Sequence, residues 1–131
     1  MLVLGIETSC DDTAQAVLLD GRTVLANLVS SQDSVHGPFG GVVPELASRQ
    51  HVRYILPILD GALKKAGVEL RNLDGIAATR GPGLVGSLLV GLSVAKGISF
   101  RWGIPYVGIN HLEAHHALPD RSARARDPRA F

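Results

Sequence analysis

The sequence predicts an α/β domain built on one mixed, five-stranded sheet, and three observations carry that reading. Three short β-rich runs open the chain; two long segments of helical or continuous apolar character lie beyond residue 40; and a short β-rich run follows each of these. With a final helix after the last strand the order is βββαβαβα, an antiparallel meander followed by strands that helices return in parallel.

The opening runs are Leu2–Ile6, Thr13–Leu19 and Arg22–Val29. The first two flank the polar turn Glu7-Thr8-Ser9-Cys10-Asp11-Asp12, and the last two meet at Asp20-Gly21, a strong hairpin signal. Ser30–Gly41, punctuated by Gly37, Pro38, Gly40 and Gly41, reads as a loop. From Pro44 to Ala66 the apolar positions fall mostly at helical spacing, with Pro44 suited to the first turn and Gly67 to the cap. Pro57 removes the bond to the Arg53 carbonyl and is expected to kink this helix without ending it. Leu73–Thr79 reads as a strand, Arg80–Gly83 as a tight turn, and Leu84–Trp102 as a helix so apolar all round that it is expected to be buried. Tyr106–Ile109 is the last strand, and Asn110 is the N-cap of a closing helix.

At 131 residues the chain is sized for one domain, and 46% hydrophobic against 19% charged residues excludes an intrinsically disordered composition. Its longest apolar stretch, Gly83–Ile98, is interrupted by glycines and serines, so no membrane span is expected. The first apolar residues have no basic segment before them and acidic ones directly after, which points to the cytoplasm. Cys10 is the single cysteine, so an internal disulfide is excluded, and it reads as a small buried residue. The net charge of +1 is unevenly spread: Arg121–Phe131 carries four arginines against one aspartate. We therefore expect a folded lobe over 1–118 and a disordered basic tail over 119–131.

Two segments could carry chemistry. In Asn110-His111-Leu112-Glu113-Ala114-His115-His116, His111 and His115 stand at i and i+4 on one helix face and could share a metal ion, whereas His116 points about 100° away. The zinc-protease pattern needs glutamate directly after the first histidine, where Leu112 stands. From spacing alone a structural or surface histidine pair is favoured over a metal site, since two ligands do not make one. The turn Glu7–Thr13 concentrates carboxylates and hydroxyls at a strand end, for a cleft or merely for local amides. Arg80-Gly81-Pro82-Gly83 is similar to glycine turns that present N–H groups to anions, but lacks a P-loop lysine or a GxGxxG pattern.

Four stretches, in order, carry a resemblance: GIETSCDDT from Gly5, GGVVPELASRQH from Gly40, GPGLVGSLLVGLSVAKG from Gly81 and NHLEAH from Asn110. Together they resemble the tRNA threonylcarbamoyl transferase family, formerly labelled a glycoprotease, in its bacterial catalytic branch. The resemblance implies the first of two lobes of an actin-like ATPase (ribonuclease H-like) fold. It implies transfer of a threonylcarbamoyl group from threonylcarbamoyl-adenylate to the adenosine 3′ of the tRNA anticodon. His111 and His115 match the family's histidine ligands to one divalent ion per subunit, iron or zinc, with an aspartate of the second lobe as the third ligand. Asp11 matches an acidic catalytic position facing the cleft. The implied partners are tRNA, a non-catalytic paralogue of the same fold and a small ATPase subunit. Ala114 stands where the family usually has glycine, a mild change on a helix. Members are more than twice this length, so most substrate-binding residues are expected in the second lobe. This chain alone is expected to be inactive and to self-associate through an open apolar face.

Two alternatives stand beside this reading. A non-catalytic assembly module of the same fold would lack the paired histidines, which are present here. A metallopeptidase would need a base beside the metal, yet Glu113 projects about 200° from His111.

Overall fold

The computed structural model describes residues 1–117; the basic tail expected over 119–131 lies outside the described residues. Strands β1 (Leu2–Glu7), β2 (Thr13–Leu19) and β3 (Thr23–Ser30) form the antiparallel meander. Asp20 and Gly21 both take positive φ, 53° and 66°, which suits the twist of a tight hairpin. Strands β4 (Gly75–Gly81) and β5 (Tyr106–Asn110) add in parallel on the other side of β1, giving the order β3-β2-β1-β4-β5. The mixed five-stranded sheet is thus as the sequence predicts.

Helix α1 (Asp33–His36) and a 3-10 turn, Gly37–Phe39, occupy the stretch expected to be loop. Side chains buried there hold them. Gln32 donates through Nε2 to the Ala47 carbonyl at 3.3 Å, its Oε1 lies 2.8 Å from His36 Nε2, and the Val43 N–H donates to His36 Nδ1 at 3.2 Å. Helix α2 (Pro44–Ala66) has the expected bounds, runs on through Pro57, and stops at Gly67 in the left-handed region. A 3-10 turn at Leu70–Asn72, closed by a reciprocal Glu69 and Asn72 capping box, delays β4 to Gly75. Helices α3 (Val85–Trp102) and α4 (His111–His116) follow β4 and β5.

The crossovers β3–α2–β4 and β4–α3–β5 move the same way across strands of one direction, so right-handed connections put α2 and α3 on one face. The core lies between: Leu4, Ile6, Val17 and Ile76 of the sheet meet Ile55, Leu59, Ala95 and Ile98 of the helices. Strand alternation sends Gly5 and Glu7 to the opposite face. There Gly5, Ala14, Ala16, Asn27 and Ala77 line a shallow trough of about 350 Å³, with Glu7, Thr79 and Ala114 also at its wall.

Two expectations need correction. Helix α3 is not buried all round: Leu88, Gly91, Ala95 and Ile98 face inward, but Val85 and Leu89 are exposed at 74% and 57%. Its apolar composition cannot reveal that a single sheet covers only one side of it. Cys10, expected to be buried, is exposed in the β1–β2 loop, because the pleat that buries Ile6 has ended before it. Among the described residues no helix is long and apolar enough to cross a membrane.

Candidate functional site

Strands β1, β4 and β5 run in parallel, so their carboxyl ends reach one edge of the sheet and bring together residues far apart in the chain. From β1 comes Glu7, from β4 Thr79, and from the end of β5 the start of α4. Asn110 caps that helix: its Oδ1 accepts from the N–H groups of Leu112 at 2.9 Å and Glu113 at 3.3 Å, which fixes the direction in which His111 leaves the sheet.

Glu7 is the hub. Its carboxylate accepts from the Ser9 N–H at 2.5 Å, from Thr79 Oγ1 at 2.6 Å and from His111 Nδ1 at 2.9 Å. Burial pushes this carboxyl up, but hydrogen bonds from Ser9, Thr79 and His111 outweigh it and hold its pKa below the ordinary range. Ser9 Oγ also lies 3.2 Å from His111 Nδ1.

The other ring nitrogen of His111 faces its neighbour one turn on. His111 Nε2 and His115 Nε2 are 3.1 Å apart, with ring planes at 78°. Two nitrogens on one tetrahedral ion, each ~2.0–2.1 Å from it, lie roughly 3.3 Å apart, so the pair needs little adjustment to share a metal. Glu7, bonded to the opposite nitrogen, is not a third ligand. Among the described residues no group of three His, Cys, Asp or Glu side chains converges, so the pair alone is not a complete metal site. His116 makes none of these bonds.

Asp11 lies half-buried in the β1–β2 loop, outside the bonds of the Glu7 network. That loop is pinned at several points. Thr8 Oγ1 donates to the Ser87 carbonyl at 2.7 Å and the Leu84 N–H donates to the Ser9 carbonyl at 2.8 Å. Behind it, buried His51 accepts from Thr13 Oγ1 at 2.8 Å and donates through Nε2 to the Cys10 carbonyl at 2.8 Å. Partial desolvation of this otherwise exposed thiol and then the neighbouring Asp11 push the Cys10 pKa up, away from a reactive thiolate. Of the expected turn Arg80–Gly83, Arg80 and Gly81 complete β4 instead, and Gly83 has a packing reason: a Cβ there would come within 2.4 Å of the Ser9 carbonyl oxygen. The Leu84 N–H just after it is spent on that same carbonyl.

Sequence reasoning found the histidine pair and the polar turn, but neither the role of Glu7 nor that of Thr79. The available signal was parity. Glu7 alternates with Leu4 and Ile6 and must therefore point away from the core, toward the face where α4 begins.

The family model described as tRNA N6-adenosine threonylcarbamoyltransferase matches residues 23–130. Proteins named tRNA N6-adenosine threonylcarbamoyltransferase match from Syntrophus aciditrophicus, 59% identical over 117 residues, and from Caldicellulosiruptor saccharolyticus, 60% identical over 115 residues. The alignments cover 89% and 88% of this chain but 35% and 34% of those proteins, so the chain spans about a third of the length of these relatives. Among solved structures, YeaZ from Pseudomonas aeruginosa superposes with a TM-score of 0.68 at 26% identity, over 94% of this chain and 52% of that one. Thermus thermophilus RuvC in complex with a Holliday junction gives 0.53 at 13% identity, over 93% and 72%, a likeness of fold alone. The fold is the actin-like, ribonuclease H-like one.

Proposed function

Because the chain belongs to the tRNA N6-adenosine threonylcarbamoyltransferase family, we propose that it forms the N-terminal lobe of a transferase that moves a threonylcarbamoyl group from threonylcarbamoyl-adenylate to the tRNA adenosine 3′ of the anticodon. The observation that carries this reading is the pair of Nε2 atoms 3.1 Å apart at the carboxyl ends of the parallel strands. His111 and His115 would hold one divalent ion; imidazole suits both iron and zinc. Bound there, such an ion supplies Lewis-acid polarisation of the carbonyl under attack. The chain's own contribution is placement. Glu7 and Asn110 set the histidines, while His51, Thr13 and Ser87 hold the loop that carries Asp11. Asp11 is the catalytic carboxylate of this lobe, accepting a hydrogen bond and then the proton from the attacking amine.

Val52, Leu56, Val85 and Leu89 are exposed on α2 and α3, which pack side by side with Gly86 against Ser48. This apolar strip is where the non-catalytic paralogue would dock; the small ATPase subunit would join that assembly in the cytoplasm. Identity near 60% to proteins named as transferases favours the catalytic lobe over an assembly module.

The test is incorporation of labelled threonine into unmodified tRNA. It compares this chain alone with a chimera joining residues 1–117 to the remaining two-thirds of the Syntrophus aciditrophicus protein. We expect no turnover from the chain alone, turnover from the chimera, and at least a hundredfold loss with Asp11→Ala in the chimera. A folded but inactive chimera beside an active parent would overturn the reading, and full activity of the Asp11→Ala chimera would remove Asp11 from the site.

A further inference from the structure

The geometry points to Glu7 as a positioning residue for the histidine pair: its carboxylate fixes His111 as the Nδ1–H tautomer, leaving the Nε2 lone pair aimed at the point that His115 Nε2 also faces. This rests on the metal-binding reading of the pair but is tested separately from it.

Three observations support it. First, Glu7 accepts from the Ser9 N–H and from the Thr79 hydroxyl, so it is held by groups that can only give, or here do give, a proton. A carboxylate with donors on both oxygens accepts from its remaining neighbour as well, and that neighbour is His111 Nδ1 at 2.9 Å. The hydrogen therefore sits on Nδ1, and a neutral imidazole has only one. Secondly, Ser9 Oγ, the other polar atom near Nδ1, is farther away at 3.2 Å, so it does not displace the carboxylate. Thirdly, Glu7 comes from β1 and His111 from α4, 104 positions apart, so the bond ties the sheet centre to a six-residue helix at the sheet edge. Without it, the Asn110 cap and the longer 3.2 Å contact from Ser9 Oγ would remain to set the ring, and neither requires the hydrogen to sit on Nδ1. Carboxylate–histidine pairs behind metal-binding imidazoles work in this way, orienting the ring and strengthening it as a ligand.

The experiment uses the 131-residue chain, wild type and Glu7→Gln, with two readouts. Long-range proton–nitrogen NMR of the imidazole rings identifies the His111 tautomer without metal, and competition against a chromophoric chelator gives the Zn(II) affinity. We expect Nδ1–H in the wild type, a mixture of tautomers in Glu7→Gln, and zinc binding weakened roughly 10- to 100-fold in the variant. Wild-type His111 found as Nε2–H, or a tautomer unchanged by Glu7→Gln, overturns the proposal whatever zinc does. A wild type that takes up no zinc, while its tautomer is Nδ1–H and is lost in the variant, overturns the metal reading and leaves the role of Glu7 standing. The wild-type spectrum is decisive even if Glu7→Gln fails to fold. Thr79→Val, which removes one donor to Glu7 but keeps the carboxylate, is then expected to retain Nδ1–H with a smaller loss of zinc affinity.

Discussion

Thr13 Oγ1 donates to Nδ1 of His51 across 2.8 Å in the interior of the domain, where neither residue has any exposed surface. The Nε2–H of the same ring is given to the Cys10 carbonyl, so this imidazole is neutral and fully used.

That arrangement predicts a pH dependence. Burial pushes the His51 pKa below its ordinary value of 6.5, only partly opposed by the Cys10 carbonyl and the acidic groups Glu7, Asp11 and Asp12. Between the lowered value and 6.5 the unfolded chain binds a proton that the folded chain refuses. The stability contributed by the neutral ring is therefore complete above about 6.5 and is lost as pH falls toward the folded value. Urea denaturation at pH 8 and pH 5.5 should give a lower midpoint in acid. His51→Gln should cost about 1–3 kcal/mol at pH 8 and narrow the gap between the two midpoints. An unchanged gap would show that other groups set the acid sensitivity.

Two glycines of α3 should respond in opposite directions to alanine. A Cβ on Gly91 would come within 2.5 Å of Thr8 Oγ1, inside the packing that pins the β1–β2 loop, so Gly91→Ala should destabilise by about 1–3 kcal/mol despite the gain in helix propensity. Gly97 has nothing within 4 Å of the same position, and Gly97→Ala should stabilise by up to ~1 kcal/mol. Thermal unfolding of the two variants checks both signs.

Exposed Val52, Leu56, Val85 and Leu89 predict that the chain associates with itself when no partner covers them. Sedimentation velocity should show mass rising with concentration, and Leu56→Glu with Leu89→Glu should restore a monomer. A wild-type monomer at all concentrations would count against an adhesive strip on α2 and α3.

Zinc uptake should depend on the two facing nitrogens and not on histidine number. His111→Ala and His115→Ala should each abolish binding, while His116→Ala should leave it unchanged. Calorimetry that finds equal losses in all three variants would mean that the pair does not define the site.

What was legible in the sequence follows from how local each signal is. The bounds of α2 are written in Pro44 and Gly67, and the cap of α4 in Asn110, because these residues act on backbone within a turn of themselves. Helix α1 was not legible, since Gln32 holds it through the Ala47 carbonyl and the Val43 N–H ties the following turn back to His36. The histidine pair could be read from an i, i+4 spacing. Its brace could not, because Glu7 meets Thr79 and His111 at separations of 72 and 104 residues, and only the sheet order makes them neighbours.

That sheet order also decides how the site comes apart. Strand β5 lies at an edge and is paired only with β4, from Tyr106 opposite Ile76 to Asn110 opposite Gly81. An excursion that unzips this one strand carries α4 away and separates His111 from Glu7, while β1 stays clamped between β2 and β4 and the core remains closed. Such partial openings require less free energy than unfolding the whole domain, so amide hydrogens of β5 and α4 should exchange with solvent well before those of β1. The histidine pair thus rides on an edge of the sheet that opens more readily than its centre.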